Sequence, residues 1–148
     1  MSQQAQPPSL VYYSSESEFK NHFCRVYCDL NNPIYTCDSI RVSFFPNQFN
    51  HAFRESANRA MRDKSIFSSK RAERIDWIKW ALQCRNADLF KGWDIDKRCI
   101  DPNRRVCVVA INYIVIIQVE TSLQRALFIT AFVAVPETLR QIRNKPRW

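Results

Sequence analysis

His51 is the side chain in this sequence best suited to proton transfer near neutral pH. The chain has two histidines, and imidazole is the side chain whose ordinary pKa lies closest to physiological pH. RNA can be cleaved without a metal when one group takes the proton of the 2′-hydroxyl, another protonates the leaving oxygen, and cations stabilise the phosphorane. Groups of these types occur at His51, Lys64, Ser68, Arg71 and Thr130. They fall in four different predicted elements, so only the fold can bring them together.

The role open to His51 depends on the side of its predicted helix on which it lies. An apolar stripe at helical spacing is formed by Phe49, Ala52, Phe53, Ala57, Ala60 and Met61. At about 100° per residue, His51 points to nearly the opposite side, with Glu55, Asn58 and Arg62. It is therefore not a core histidine, and it either faces solvent without a role or lines a groove.

One acidic stretch contains the candidate carboxylate ligands for a metal ion. Asp94, Asp96 and Asp101 are close in sequence, as paired carboxylates that hold magnesium would be. The same stretch is dense in lysine and arginine, so local ion pairing is the simpler explanation.

A zinc site was considered at His22 and the three cysteines near it, which are Cys24, Cys28 and Cys37. No CxxC pair is present and the spacing fits no standard zinc site. We therefore predict no metal and no cofactor. A single glycine, Gly92, also excludes the glycine-rich phosphate loops of P-loop and dinucleotide-binding proteins.

The charge of the chain favours a polyanionic partner. Its net charge is +8, which promotes association with nucleic acid through steering and counterion release; the alternative is that the basic residues only maintain solubility. The N-terminus is polar and proline-containing, unlike a signal peptide. We expect a cytoplasmic protein with free thiols and no membrane association.

Helices and one short strand are predicted before the sheet. Apolar periodicity predicts helices over residues 15–30, 47–63 and 70–85, with N-caps at Ser15 or Ser17, Asn47 and Ser69. Alternation and Pro46 predict a strand over residues 40–45. Residues 86–104 are expected to be irregular.

The most apolar and β-branched stretch, residues 105–135, predicts a sheet. Residues 113–119 and 125–134 are expected to form an antiparallel pair with a short polar loop. Residues 106–111 form either a third strand or the start of one long bent strand. Pro136 then begins a short helix over residues 136–144.

These elements predict an α+β fold in which N-terminal helices pack on a C-terminal antiparallel sheet. Residues 1–14 are expected to be a disordered tail and residues 15–148 a single domain. The helices are expected to cover one face of the sheet and to leave the other as an open binding face.

The order of several motifs resembles the barnase–EndoU–colicin E5/D–RelE superfamily of small metal-independent ribonucleases, in its phage- and toxin-associated branch. The motifs are FNHAF at 49–53, Phe67, RAERIDWI at 71–78, YIVII at 113–117, FITAF at 128–132 and RNKPRW at 143–148. They cover residues 49–148, so the resemblance does not extend to the first 48 residues.

The resemblance implies a site with a helical histidine, basic residues near the second of these helices and a hydroxyl on a late strand. By that correspondence His51 is the acid–base group, Arg71 stabilises the transition state, and Thr130 positions phosphate or the nucleophile. Lys64 and Ser68 would assist in binding substrate. Phe132 occupies a position where such proteins often have tyrosine. The phenylalanine ring can still stack on a base, but it has no phenolic hydroxyl.

The sequence therefore predicts a nuclease-like endoribonuclease domain that cuts RNA without metal and leaves a 2′,3′-cyclic phosphate. The resemblance implies a toxin or phage effector, acting on RNA such as tRNA, with an antitoxin or immunity protein as a further partner. The alternative is a non-catalytic RNA-binding or protein-interaction module on the same fold.

Overall fold

The computed structural model describes residues 6–56 and 64–148. Within these ranges the α-helices are α1 (Glu16–Tyr27), α2 (Gln48–Phe53), α3 (Ser69–Ala72), α4 (Trp77–Leu82) and α5 (Pro136–Arg143). The strands are β1 (Ile34–Tyr35), β2 (Arg41–Ser43), β3 (Arg54–Glu55), β4 (Ile66–Phe67), β5 (Asp88–Asp94), β6 (Cys99–Val109), β7 (Tyr113–Glu120) and β8 (Arg125–Val133). The predicted α+β class, with helices first and the sheet last, is confirmed.

A six-stranded sheet in the order β1-β2-β8-β7-β6-β5 forms the centre of the fold. Its strands pair antiparallel except β2 and β8, which run parallel. The predicted β7–β8 pair is confirmed, and its connection ends with Gln124 in the left-handed region at φ 48°. Of the two options for residues 106–111, the structure has a third strand, β6, which ends at Val109. Ile111 and Asn112 adopt positive φ in the turn that separates β6 from β7.

The prediction of an irregular segment over residues 86–104 was wrong. Strands β5 and β6 form a hairpin there, with a bulge between Lys91 and Gly92. Gly92 lies under the side chain of Arg104, and a Cβ at this position would come within 2.4 Å of the Arg104 Cγ atom. Strand β6 begins before the first residue that pairs with β7. The residues at this end of β6 lack the apolar alternation of a covered strand, so the sequence pattern did not indicate the hairpin.

Helix α2 is much shorter than the predicted helix over residues 47–63. It ends at Phe53 because Arg54 turns to extended backbone at φ −117° and ψ 148°, and strand β3 then pairs with β4. The Arg54 guanidinium also donates to both carboxylate oxygens of Glu16, at 2.9 and 2.8 Å. The last part of that prediction, residues 57–63, lies outside the described residues.

The helix predicted over residues 70–85 is two helices, α3 and α4. The carbonyl oxygens between them are taken by other partners: Glu73 O accepts from the Val11 N–H at 2.8 Å, and Ile75 O from the Tyr27 hydroxyl at 2.6 Å. The cap is Ser68, whose Oγ accepts from the Arg71 N–H, and not Ser69. By contrast, of the two caps predicted for the first helix, Ser15 or Ser17, the structure has Ser15, which accepts from the Glu18 N–H at the start of α1.

The apolar core lies between the sheet and helices α1 to α4. Phe23 is fully buried there and meets five aromatic rings, those of Tyr27, Phe44, Phe49, Phe53 and Phe128. The opposite face of the sheet was expected to be open, but it is partly covered. Leu139 and Ile142 of α5 pack there against a second cluster that includes Ile114 and Phe90, so only part of that face remains accessible.

Part of the segment predicted as a disordered tail is held against the domain. The Trp77 indole N–H donates to Pro8 O at 2.7 Å, the Val11 N–H to Glu73 O at 2.8 Å, and the Tyr13 hydroxyl pairs with His22 Nδ1 at 2.9 Å. These bonds fix residues 8–13, which corrects the tail boundary predicted at residue 14. Residues 1–5 lie outside the described part. In the described ranges, no helix has both the length and the apolarity needed to cross a bilayer.

The ion pair between the buried Arg105 and the half-exposed Asp38 joins β6 to the turn between β1 and β2. Arg105 is 2% exposed, and its guanidinium donates to the two Asp38 oxygens at 2.8 and 3.0 Å. Burial alone would raise the pKa of Asp38, but the hydrogen bonds from Arg105 and Thr36 and the charge of Arg105 outweigh it and hold this pKa below its ordinary 3.8. The pair is therefore stabilising when Asp38 is ionised.

Asp38→Asn should destabilise the fold by ~2 kcal/mol, because it leaves a buried guanidinium without its counter-charge. Asp38 is half exposed, so the loss is smaller than for a fully buried pair. The loss of unfolding free energy relative to wild type should be fully present above pH 3.8. It should shrink as pH falls through the lowered pKa of Asp38 in the folded protein. Urea unfolding over this pH range measures it, with Glu120→Gln as an exposed control; equal losses in both variants would contradict the prediction.

Candidate active site

His51 lies on the exposed side of α2, opposite the buried residues Phe49, Ala52 and Phe53, as the helical pattern predicted. It lines a cleft of about 590 Å³, here called the His51 cleft. Among the described residues, the cleft is also lined by Glu55, Ser56, Lys64, Ile66, Arg71 and Ile95. The fold therefore brings three of the predicted site residues together: His51 from α2, Lys64 from the segment before β4, and Arg71 from α3.

The electrostatic environment of His51 favours the neutral imidazole. Burial lowers the pKa of His51, and the positive charges of Lys64 and Arg71 lower it further. A histidine that is neutral at pH 7 accepts a proton, as a general base must. Burial and Arg71 also lower the pKa of Lys64, against an opposing effect of Glu55. Its ammonium is thereby a stronger proton donor than an ordinary lysine.

Arg71 is held at the centre of the site. Its Nη1 donates to the Ala52 carbonyl at 3.4 Å, its Nε lies 3.9 Å from a Glu55 oxygen, and its guanidinium lies 5.6 Å from the centre of the Phe132 ring. These contacts link Arg71 to the α2–β3 segment and to β8. A guanidinium fixed in this way offers a planar fork of N–H donors suited to a phosphate.

A second cleft of about 220 Å³ adjoins the first, and we call it the Ser68 cleft. It is lined by Glu55, Ser68, Lys70, Arg71, Phe132, Val133, Val135 and Thr138. Glu55 and Arg71 line both clefts. Ser68 is 6% exposed, and its hydroxyl oxygen accepts a hydrogen bond from the Arg71 N–H at 3.3 Å, which caps α3. Ser68 therefore helps to position Arg71.

Ser68→Ala should lower the free energy of unfolding by about 1 kcal/mol through loss of the α3 cap. Ser69→Ala is the matched control, because the neighbouring hydroxyl makes no cap in this structure. Thermal unfolding of both variants measures the difference. A larger loss of stability in Ser69→Ala than in Ser68→Ala would contradict the assignment of Ser68 as the cap of α3.

Thr130 lies apart from His51. It pairs in register with Ile116 of β7 and lines a separate cavity on the sheet face that α5 partly covers, here called the sheet-face cavity. Phe132 and Thr138 line both this cavity and the Ser68 cleft. Phe132, which lines this cavity with Thr130, contacts Arg71 of the His51 cleft, whereas Thr130 itself does not line that cleft.

Four of the described lining residues of the His51 cleft had no role in the sequence analysis, namely Glu55, Ser56, Ile66 and Ile95. Glu55 was placed on the side of the predicted helix that carries His51, and this spacing was the available signal. Ile95 follows strand β5 in the hairpin whose existence the sequence did not predict, so nothing in the pattern indicated that it would reach α2.

The alternative metal sites do not fit the geometry of their residues. Asp94 caps a turn by accepting from the Asp96 and Lys97 N–H groups, and Asp101 accepts from Asn103 and Gln118. Both nitrogens of His22 are engaged, Nε2 by Asp76 at 2.7 Å and Nδ1 by Tyr13. Among residues 6–56 and 64–148, no group of three or more His, Cys, Asp and Glu side chains is arranged to hold a metal.

Comparison with models of known protein families, with curated proteins and with solved structures finds no match to this chain. The grouping of His51, Lys64 and Arg71 around one cleft is therefore the observation from which a function is proposed.

Proposed function

We propose that this protein is a metal-independent endoribonuclease whose active site is the His51 cleft. The observation that carries the proposal is the placement of His51, Lys64 and Arg71 around one cleft, together with the lowered pKa of His51. These are the groups that 2′-hydroxyl transesterification requires: a base, a proton donor and cations for the phosphorane. The resemblance to small ribonucleases supports the same assignment.

In this mechanism the neutral His51 imidazole takes the proton of the 2′-hydroxyl as its oxygen attacks the adjacent phosphorus. Arg71 donates hydrogen bonds to the non-bridging phosphate oxygens, whose charge grows in the transition state. The bond from phosphorus to the 5′ oxygen breaks, and Lys64 protonates the leaving oxygen. The products are a 2′,3′-cyclic phosphate and a 5′-hydroxyl, so no water is consumed in this step.

The partners proposed with this activity are RNA, tRNA among the candidate substrates, and an acidic antitoxin or immunity protein. The net charge of +8 favours both kinds of partner. A cytoplasmic toxin or phage effector is the biological setting that the resemblance implies. Thr130 is proposed to assist from β8 by contacting a neighbouring part of the bound RNA and not the phosphate beside His51.

Total RNA incubated with purified protein in excess EDTA tests the proposal on a denaturing gel. Discrete fragments that accumulate with time are expected. Intact RNA in the presence of protein shown to be folded would contradict nuclease activity and would favour the RNA-binding alternative.

The pH dependence of cleavage should report the environment of His51. The rate should rise with pH through the pKa of His51, with an inflection below the ordinary value of 6.5, and should fall again at higher pH where Lys64 loses its proton. Lys64→Gln removes one positive charge and should move the inflection to higher pH, whatever it does to the maximum rate. Lys79→Gln, at an exposed position on α4, should leave the inflection unchanged. An inflection that Lys64→Gln does not move would contradict this environment.

A further inference from the structure

The sheet-face cavity, about 600 Å³ in volume, has the size of a site for a small organic group. Its apolar walls come from the sheet and from α5, through Val106, Ile116, Ile129, Phe132 and Ile142. Basic residues line it as well, namely Lys91, Arg104 and Lys145. A planar apolar body with an attached anion is complementary to such a site, because the apolar floor takes the body and the cations take the charge.

Hydrogen-bonding side chains also line this cavity. Thr130 and Thr138 contribute hydroxyl groups and Gln141 an amide, and each can both donate and accept. A hydrocarbon chain would leave these groups without partners. A nucleobase has donors and acceptors along its edge and a flat apolar face, so it matches both parts of the lining.

The walls of the cavity depend on specific features of the backbone. A bulge between β7 and β8 leaves Ile129 without a partner in the register, and both Ile129 and Thr130 line the cavity. Consecutive residues of a regular strand would point to opposite faces. On the other side, the lack of a side chain at Gly92 allows Arg104 to cross the hairpin and bond to Gln118 at 3.1 Å and to Trp93 O at 3.3 Å.

An exposed aromatic ring stands at the edge of this cavity. Trp93 is 46% exposed, and the Lys145 ammonium lies 4.9 Å from the centre of its ring. An indole with a cation beside it provides a stacking surface and a phosphate contact together, which is the combination that single-stranded nucleic acids use.

The Ser68 cleft lies between this cavity and the proposed catalytic cleft and shares lining residues with both. Phe132 and Thr138 line the cavity and the Ser68 cleft, and Arg71 and Glu55 line the Ser68 cleft and the His51 cleft. An RNA strand that runs past Arg71 would therefore have one end near His51 and the other near Thr130. This arrangement gives Thr130 a place on the substrate although it does not meet His51.

We propose that the sheet-face cavity binds an unpaired nucleobase, so that the substrate class is single-stranded RNA. The inference rests on the proposed function, since the bound base neighbours the phosphate held by Arg71. Bases in a duplex are stacked and paired and cannot enter the cavity, which excludes double-stranded RNA.

A binding experiment separates this proposal from cleavage. A ten-nucleotide RNA of mixed sequence with 2′-O-methyl groups has no attacking hydroxyl, and its affinity is measured by fluorescence anisotropy, alone and paired with its complement. Gln141→Trp places an indole at the mouth of the cavity from an exposed position on α5. Asn144→Trp is the matched control, because it adds the same side chain at an exposed neutral position outside the cavity lining.

Wild type and Asn144→Trp should prefer the single strand, and Gln141→Trp should bind it about tenfold more weakly. Equal affinity of wild type for the single strand and the duplex would overturn the proposal. So would equal affinity of the two tryptophan variants for the single strand. Cavity-dependent binding by a protein that cuts no RNA would uphold the base site and refute the nuclease assignment alone.

Discussion

His51→Ala is expected to lower the rate of RNA cleavage about 10²–10⁴-fold, the usual contribution of a positioned general base. The ring is on the exposed side of α2 and takes no part in the core, so the variant should remain folded. Its loss removes the group that accepts the 2′-hydroxyl proton. Initial rates on total RNA in EDTA, with wild type alongside, measure the effect.

Asn50→Ala is the control for His51→Ala, since Asn50 is the preceding exposed residue of the same helix. It should cleave at the wild-type rate. His51→Gln keeps a polar side chain of similar size and should still be impaired, because an amide does not take up a proton at this pH. Full activity in either His51 variant would remove His51 from the mechanism.

Arg71→Ala should lower cleavage about 10²–10³-fold, as expected when one donor to a developing oxyanion is lost. Arg71 is the group that contacts the α2–β3 segment and Phe132 together. Some loss of stability should accompany the change, so circular dichroism and thermal unfolding must show that the variant is folded at the assay temperature.

Arg71→Lys separates charge from geometry. A lysine retains the positive charge but not the planar fork of donors, so we expect activity between those of wild type and Arg71→Ala. Lys79→Ala removes an exposed cation of α4 and should leave the rate nearly unchanged. If Lys79→Ala reduced cleavage as much as Arg71→Ala, general attraction of RNA by positive charge would be the better explanation.

The sequence was most informative where one face of an element meets a continuous core. The apolar, β-branched strands β7 and β8 and the buried side of α2 followed from periodicity. For the same reason the exposed position of His51 was predictable. Local rules also predicted the start of α5 at Pro136 and limited the cap of α1 to Ser15 or Ser17, of which the structure has Ser15.

Predictions failed where tertiary contacts replaced local hydrogen bonds. The helical pattern continues past Phe53, yet Arg54 leaves the helix, bonds to Glu16 and pairs with Phe67. The Ile75 carbonyl likewise accepts from Tyr27 instead of a helical amide. These partners are distant in sequence, and periodicity holds no information about them.

The candidate site was predictable in its residue types but not in its grouping. His51, Lys64 and Arg71 meet because α3 and the segment before β4 fold back against α2. Thr130 belongs to the other face of β8, on a strand whose register is changed by the bulge at Ile129. The hairpin that brings Ile95 to the cleft was missed altogether, because charged residues interrupt its apolar pattern.

Attack by the 2′-hydroxyl is tested most directly by removing that hydroxyl from the RNA at one cleavage site. A defined RNA with one 2′-deoxynucleotide just before a mapped cut is compared with the unmodified RNA in excess EDTA. We predict that cutting is lost at the modified bond and persists at other sites, and that the unmodified RNA yields 2′,3′-cyclic phosphate ends. Cleavage that continues at the deoxynucleotide, or fragments that end in a 3′-hydroxyl, would contradict attack by the 2′-hydroxyl with His51 as its base.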